Sequence, residues 1–528
     1  MGREGNVEDC ALATVVLNQA KARVHNLKFA RGTCQLKVMP QSSSQILSRI
    51  ALATMDKSRV VLVLSFELWG LPLRPENRLD MSKTLRIKKG VDIRLAGAPS
   101  TECAAAPAPK VVAIQPPDYP GLTPKLAVKA GDAVSAGDAL VFDKTFTNVK
   151  VASPVAGTVK EVVRGAKRRI MAIVVEASGV QKHRDFGVWN GGDRDALVSH
   201  LAEAGLFAAF RQRPFDVLAN PADIPRAIYV SGFDSSPMAA STSVVVEGQM
   251  DHLQRGIDAL AELAGAGGVH VGLQAGDNAL AGLKNCKTTA FQGPHPAGNV
   301  GVQIHHTAPI NKGEVLWTLG LQDTINLGAF LNTGKYSARR VVAACGSEMD
   351  NPRHLETVVG AKLADLGLKV HDGARVISGS VLTGTNAGME GHLGAFATQV
   401  VALPEGHDPK FMLTEGWLSP GLNKFSASRA YPTWLMPKGK TYTLDTNQNG
   451  EDRAFVVSGQ YEAVFPFDIY PVHLVKSIMV NDIDAMEKLG IYEVAPEDFA
   501  LCEFVCTSKI PVQSLVREGL DALKVELG

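Results

Sequence analysis

VKAGDAVSAGDAL, residues Val128–Leu140, and ASPVAGTVKEVV, residues Ala152–Val163, decide how the first half of this chain is read. Each sets turn-forming residues between alternating apolar ones: Gly131-Asp132 and Gly137-Asp138 in the first, Ser153-Pro154 and Gly157 in the second. Glycine takes a positive φ at no steric cost, and an aspartate beside it can hydrogen-bond the turn backbone. Val128, Val134 and Leu140, then Val155, Val159 and Val163, beat as half-buried strands do. The rival reading is a pair of unrelated hairpins.

In order and turn chemistry the two halves resemble the hammerhead fold of biotinyl/lipoyl-like domains, a small β-sandwich with pseudo-twofold halves. Such domains present a modified lysine at the tip of a tight turn, and Lys144 in Phe142-Asp143-Lys144 is the candidate. The stretch Lys144–Ser153, KTFTNVKVAS, is longer than a two-residue hairpin with short flanking strands needs. In the family pattern the modified lysine also sits nearer the Ser-Pro of the second half. The fold is therefore expected without the modification, as a structural or docking module.

At 528 residues the chain has length for several domains, three or four at roughly 100–200 residues each. Its 45% hydrophobic and 20% charged content suits packed globular domains. A net charge of +1 speaks against a nucleic-acid surface. Cys10, Cys34, Cys103, Cys286, Cys345, Cys502 and Cys506 are odd in number and lack framework spacing, which fits a reducing cytosol. No basic, apolar, small-residue leader opens the chain, so secretion is not expected. The longest apolar run, Val60–Leu73, is broken by Ser65, Glu67 and Pro72. It falls short of the ~20 residues that cross a bilayer, which predicts a chain soluble by itself.

Residues 1–80 are mildly basic, carry serines at Ser42–Ser44, and show no sustained period. Met81-Ser82-Lys83 reads as a second chain start before strand-like Leu85-Arg86-Ile87. Residues 1–80 are expected to be an appended, disordered leader or the product of a start codon assigned too far upstream. A small regulatory extension is the rival. Residues 81–183 are expected to hold the biotinyl/lipoyl-like β-sandwich. From Asp193 the pattern is helical, with Leu197, Leu201, Ala204 and Leu206 on one face and Gly205 as C-cap. Strand-like Ala227–Ser231 and Val269–Leu273 flank Val244–Val246 and an amphipathic helix over Leu253–Leu263. This alternation predicts a Rossmann-like α/β domain over 184–335.

Strand-like VVAAC from Val341, a helix through Leu355–Leu366 and strand-like ARVISGSVL resemble a β-grasp domain of the SLBB type, placed at 336–404. Lys440–Phe465, rich in Thr, Tyr and Val around Asn449-Gly450, predicts a β-hairpin within a β-rich segment at 405–470. A C-terminal helical domain follows at 471–528. Asp484–Leu489 ends at Gly490, Pro496 can open a helix, and Leu515, Leu520, Leu523 and Leu527 form a stripe. The expected class is thus multidomain α/β.

Most ligand motifs fail on inspection. Gly379-Ser-Val-Leu-Thr-Gly384-Thr385-Asn386 mimics a P-loop, but Thr385 stands where the phosphate-neutralising lysine is needed. It reads as a turn between β-grasp strands. Gly265–Gly272 lacks the dinucleotide spacing, having His270 at the sixth position. His305-His306, taken as adjacent on a strand, point to opposite faces, and no spacing completes a zinc set with them or with His295. Loop polar contacts are expected for all three. Cys502 and Cys506 lie four apart on an expected helix and can face one way, but a [4Fe–4S] cluster takes four thiolates. Phe207–Phe215, FAAFRQRPF, sets Phe207, Phe210 and Phe215 around Arg211 and Arg213. Two readings stand: a helix end with core aromatics and capping arginines, or an apolar slot with cationic donors for a quinone head or an acidic partner loop.

Across Met81–Gly528 the order of parts closely resembles the A-subunit family of the bacterial Na⁺-translocating NADH:quinone oxidoreductase (Na⁺-NQR). The resemblance is carried by Ile87-Lys88-Lys89-Gly90, Ser153–Gly157, Arg164–Arg168, Ala209–Phe215, Gly293–Gly298, Ile377–Leu382 and Leu501–Cys506. It implies a peripheral, cytoplasm-facing component of a six-subunit complex in the bacterial inner membrane. That complex oxidises NADH, reduces ubiquinone and pumps Na⁺ outward, with FAD, FMN, riboflavin and iron–sulfur centres on other subunits. The implied partners are the other five subunits, the membrane-embedded B subunit foremost, and no nucleic acid.

The family is similar to flavin-binding subunits of complex I and Rnf, whose glycine-rich loop holds FMN or NADH. Here that loop position reads Ala208–Arg213, whose bulky side chains would keep a phosphate from the backbone. The resemblance thus implies a scaffold without its own flavin, cluster, metal or catalytic residue. Phe210, Arg211, Arg213, Phe215 and His295 are expected at the quinone-handling region or at an interface with another subunit. A flavin- or NADH-binding electron-transfer protein of the Rnf type is the alternative, and a free acyl- or biotin-carrier protein is a third.

Overall fold

The computed structural model describes residues 84–407 and 409–527, together with the strands Lys28–Ala30 and Thr33–Gln35. The chain divides into two units, residues 1–79 and 80–528. In the first, those two strands pair antiparallel; the rest of the expectation for 1–80 lies outside the described residues. All that follows concerns the second unit.

The first opening motif turns as its glycines require, while Gly157 of the second is not in a turn but begins the strand Gly157–Arg164. Gly131 and Gly137 take φ of +94° and +96°, and Asp132 and Asp138 accept the Lys129 and Ser135 N–H groups at 2.7 Å each. The motifs also lock to one another, Gly137 N–H to the Ser153 carbonyl and Ser153 N–H to that of Asp138. Around this lock stand two antiparallel sheets. Val111–Ile114, Ile170–Ala177, Gly157–Arg164 and Ala133–Val134 form one; Pro124–Leu126, Ala139–Asp143 and Lys150–Ala152 form the other. Leu140, Val141, Val151, Val159 and Ile173 are buried in the core, each contributing roughly 1.5–3 kcal/mol by removal from water. Lys144 is exposed at the start of the connection to Lys150–Ala152, where Asp143 accepts the Thr145 and Phe146 N–H groups.

The α/β layer has strand order Val217–Leu218, Arg211–Arg213, Leu316–Gly320, Ile228–Ser231, Val269–Gln274, Lys287–Gln292, Leu85–Arg86. The last five run parallel; the first two form an antiparallel hairpin on one edge. Both faces are covered, as a parallel sheet demands. Ile228 and Val230 share a core with Leu253, Ile257 and Leu260 of helix Met250–Leu263, while Ala227 and Tyr229 meet Ile304 of helix Val300–Thr307. Helix Met250–Leu263 also crosses helix Leu321–Thr333 at two glycines. A Cβ on Gly328 would lie 1.8 Å from the His252 carbonyl oxygen, and one on Gly256 2.2 Å from that of Thr324.

The β-grasp sheet runs Thr385–Asn386, Arg375–Ser378, Gln399–Leu403, Arg339–Cys345, Arg353–Val358, Cys103–Ala105. Residues 85–86 and 103–105 thus edge the α/β and β-grasp sheets, and the barrel-sandwich pairing begins only at Val111. Helices Pro471–Met479, Ile483–Lys488, Ala500–Val505 and Val512–Leu527 pack around Val472, Val475, Phe499, Val516 and Leu520.

Three local expectations are corrected. Leu355–Leu366 is not a helix: Arg353–Val358 pairs with Arg339–Cys345, and Gly360 at φ +77° precedes a single 3₁₀ turn at Leu363–Leu366. Ladder hydrogen bonds override the helical spacing there. Lys440–Phe465 is not a hairpin, and the 405–470 segment is largely irregular. Its backbone bonds go elsewhere, Tyr442 to Arg94 and Ala96, and Arg453 to Ser508, before a short helix at Gln460–Val464. His305 and His306 lie on helix Val300–Thr307, where successive side chains stand about 100° apart, not on a strand.

Candidate functional site

From Ser231 the chain crosses to Val269–Gln274 on one side; later it returns to Leu316–Gly320 on the other side of the same strand. Loops leaving two adjacent parallel strands in opposite directions open a crevice at their carboxyl ends. A cleft of about 830 Å³ lies there. Its floor is Ser231–Asp234 and Thr318–Asp323; its walls bring Asp118 from the barrel-sandwich region, Phe396 from the β-grasp region, and Glu497 and Arg517 from the C-terminal helices.

Four arginines line this cleft, and each already faces a carboxylate. Arg211 stands 3.2 Å from Asp216, Arg213 3.0 Å from Glu497, Arg340 2.8 Å from Asp323, and Arg517 2.7 Å from Asp521. Among the described residues no lysine lines the cleft. The Gly379–Asn386 loop offers no phosphate cradle either. It joins two antiparallel strands, and Ser380 Oγ takes up the Leu382 and Thr383 N–H groups. The lining therefore favours an uncharged ligand with polar edges.

Arg213 is the centre of charge, 1% exposed, with Asp216 at 3.6 Å and Asp498 at 3.5 Å besides Glu497. Three carboxylates around one guanidinium cannot all ionise at equal cost. Burial opposes the Asp216 charge, but Arg213, Arg211 and Arg517 outweigh it and hold this carboxyl below its usual range. Burial pushes Glu497 up to about 7, Arg213 opposing and Asp498 and Asp216 adding. Burial raises Asp498 as well. Its carboxylate lies against Gly301 in the first turn of helix Val300–Thr307, where a Cβ would come within 2.5 Å of Oδ2. Asp118, which accepts the Ala395 N–H at 2.8 Å, is likewise raised by burial.

Domain models of one family match in succession: the NqrA N-terminal barrel-sandwich hybrid domain over residues 85–178, the NqrA second alpha/beta domain over 192–336, and the NQRA C-terminal domain over 341–388. The A subunit of the Na(+)-translocating NADH-quinone reductase of Rhodopirellula baltica is 37% identical over 84% of this chain and 98% of its own length. The A subunits of the same reductase from Vibrio parahaemolyticus and Hahella chejuensis are 37% and 38% identical, over 84% of this chain and all of theirs. The chain belongs to the NqrA family. Among its described residues no helix is long and apolar enough to cross a membrane.

Of the residues singled out in this NqrA chain by sequence, Arg211, Arg213 and His295 line the cleft. Phe210 and Phe215 do not. Strand alternation sends Phe210 away from Arg211 and into the core, stacked on Phe207 at 5.0 Å and edge-on to Trp317 at 5.7 Å. Phe215, at φ +80° in the hairpin turn, packs on Tyr492. The aromatic lining comes instead from Phe233 and Phe396, with the Arg211 guanidinium 4.7 Å over the Phe396 ring.

Ala208–Arg213 is not a loop but a 3₁₀ turn running into a strand paired with Leu316–Gly320. His295 accepts or donates at Nδ1 to Ser235 Oγ, 3.0 Å away, and burial lowers its pKa. Cys502 is buried in helix Ala500–Val505, Cys506 just beyond its end, and burial raises the Cys502 thiol far above its usual range. Asp323, Arg340, Phe396 and Glu497 were missed because each reaches the cleft from a distant part of the chain, with no motif spacing to mark it.

Proposed function

We propose that this chain is the peripheral A component of a Na⁺-translocating NADH:quinone reductase and that its switch-point cleft handles the quinone head. The observation carrying the cleft assignment is the pairing of all four lining arginines with carboxylates. A pyrophosphate would have to compete with a carboxylate at each of these arginines. A neutral quinone needs only an apolar face and a few donors, and Arg213 Nε and Arg340 Nε are donors without a hydrogen-bond partner. Phe396 and Phe233 supply the face. Arg211, more exposed than Arg213, is the donor able to follow charge that develops on a reduced quinone oxygen. The same pairing disfavours the Rnf-type reading, in which a flavin or NADH phosphate must be held.

In this reading the α/β layer is a Rossmann-like scaffold without a nucleotide, and the C-terminal helices close one wall of its cleft. The chain works on the cytoplasmic side of the bacterial inner membrane. Its partners are the other five subunits, with the B subunit as the membrane neighbour, and FAD, FMN, riboflavin and iron–sulfur centres reside on them. Arg211→Ala in the assembled complex tests the assignment. Quinone reduction is expected to fall about tenfold, while NADH oxidation by an artificial acceptor at the upstream flavin persists. Equal survival of both activities makes Arg211 structural; joint loss with disassembly makes it an interface residue.

A further inference from the structure

Between Lys410 and Lys440 the chain turns its side chains inside out. Phe411, Leu413, Trp417, Leu422, Trp434 and Leu435 project into solvent, Trp417 71% and Trp434 61% exposed. Beneath these tips the polar groups of the segment are satisfied internally. Lys424 Nζ donates to the Gly416 carbonyl at 2.7 Å, Lys440 Nζ to that of Leu422 at 2.7 Å, and the Tyr431 hydroxyl to that of Trp417 at 3.3 Å. Thr433 Oγ1 donates to the Lys424 carbonyl, and Arg94 fastens the segment to the body through the Thr433 and Pro437 carbonyls. Gly421, at φ +65°, lets Tyr431 lie against the backbone, where a Cβ would sit 2.0 Å from the ring. The apolar tips thus stand on a platform braced from within by side-chain bonds to the Gly416, Trp417, Leu422, Lys424, Thr433 and Pro437 carbonyls.

The charge of the platform is one-sided. Residues 410–440 hold five basic side chains against one acid, Glu415. Lys410 pairs with Asp445, and Lys424 and Lys440 are tied to carbonyls beneath, which leaves Arg429 and Lys438 as the outward cations. Arg429 and Lys438 are exposed, the Arg429 guanidinium 6.0 Å over the Trp434 ring. Exposed tryptophans among leucines, flanked by Arg429 and Lys438, match the boundary between hydrocarbon and anionic headgroups. Tryptophan and arginine also mark protein interfaces, and the uncompensated exposed cations Arg429 and Lys438 are what favour an anionic lipid surface here. None of the tips lines the cleft described above.

We propose that residues 410–440 are a docking platform for an anionic lipid surface, with Trp417, Trp434, Leu413 and Leu435 entering the headgroup boundary and Arg429 and Lys438 facing phosphates. The platform is independent of the quinone assignment, since it shares no residue with the cleft.

The test is binding of the full chain to vesicles containing phosphatidylglycerol, against vesicles of phosphatidylcholine alone, followed by sedimentation and tryptophan emission. The expected result is binding to the anionic vesicles with a blue shift, weakened about tenfold between roughly 0.05 and 0.5 M salt. Trp417→Ser with Trp434→Ser is expected to weaken binding about tenfold, and Arg429→Glu with Lys438→Glu to weaken it and flatten its salt dependence. All four positions are exposed, so the melting temperature should stay that of the parent; the charge-reversed pair decides the matter if the tryptophan pair fails to fold. Absence of binding at low salt overturns the proposal, as does binding unaffected by both pairs. So does parental vesicle binding combined with failure to co-purify with the partner subunits, which marks the platform as a protein interface.

Discussion

At the scale of single residues, Arg211 and Arg213 look alike in sequence and differ in situation. Arg213 is enclosed by Asp216, Glu497 and Asp498, whereas Arg211 has Asp216 on one side and the Phe396 ring on the other. Removing the central cation of a buried ionic cluster costs about 3–5 kcal/mol, whereas loss of half-buried Arg211 leaves Asp216 still facing Arg213 and costs less. Chemical denaturation should therefore find Arg213→Ala severely destabilised and Arg211→Ala clearly less so. Glu497 sets a pH dependence. Its carboxyl is raised from 4.5 to about 7 in the folded chain, so between those values the folded state binds more protons than the unfolded one. Stability from this group then falls as pH rises through that window. Thermal melts across it should show Glu497→Gln with a flatter dependence than the parent; an unchanged slope would remove Glu497 from the account. The arginines were legible because they adjoin in sequence. Their acids were not, since Glu497 and Asp498 lie on the far C-terminal side and meet Arg213 only through the fold.

At the scale of elements, the turns at Gly131 and Gly137 were readable because glycine and aspartate act within a few residues, whereas Gly157 opens a strand, where a Cβ would lie 2.1 Å from the Glu176 carbonyl oxygen. The β-grasp strand at Arg353–Val358 was not, since its partner in Arg339–Cys345 decides it and a helical spacing of leucines misleads. The 405–470 segment misled for the same reason: the backbones of Tyr442, Thr446 and Arg453 bond to scattered neighbours instead of to one another. The crossing of helices Met250–Leu263 and Leu321–Thr333 gives a test at this scale. Gly328→Ala would press a methyl group against the His252 carbonyl, 1.8 Å from the built Cβ. Overpacking of this kind costs about 1–3 kcal/mol, which outweighs the helix propensity gained from alanine. Denaturant titration should show a net loss; a gain in stability would mean that the two helices are not in contact there.

At the scale of the whole molecule, barrel-sandwich, α/β and β-grasp regions and the C-terminal helices all send residues to one cleft at the switch point of the parallel sheet. The central claim is that this cleft takes an uncharged quinone and not a phosphate-bearing flavin or nucleotide. Equilibrium titration of the purified chain with a short-chain ubiquinone, with FMN and NADH as competitors, measures it most directly. The account predicts saturable quinone binding, weakened about tenfold by Phe396→Ala or Arg211→Ala and undisturbed by FMN or NADH. Tight FMN or NADH binding that displaces the quinone, or quinone binding unmoved by both substitutions, would contradict it.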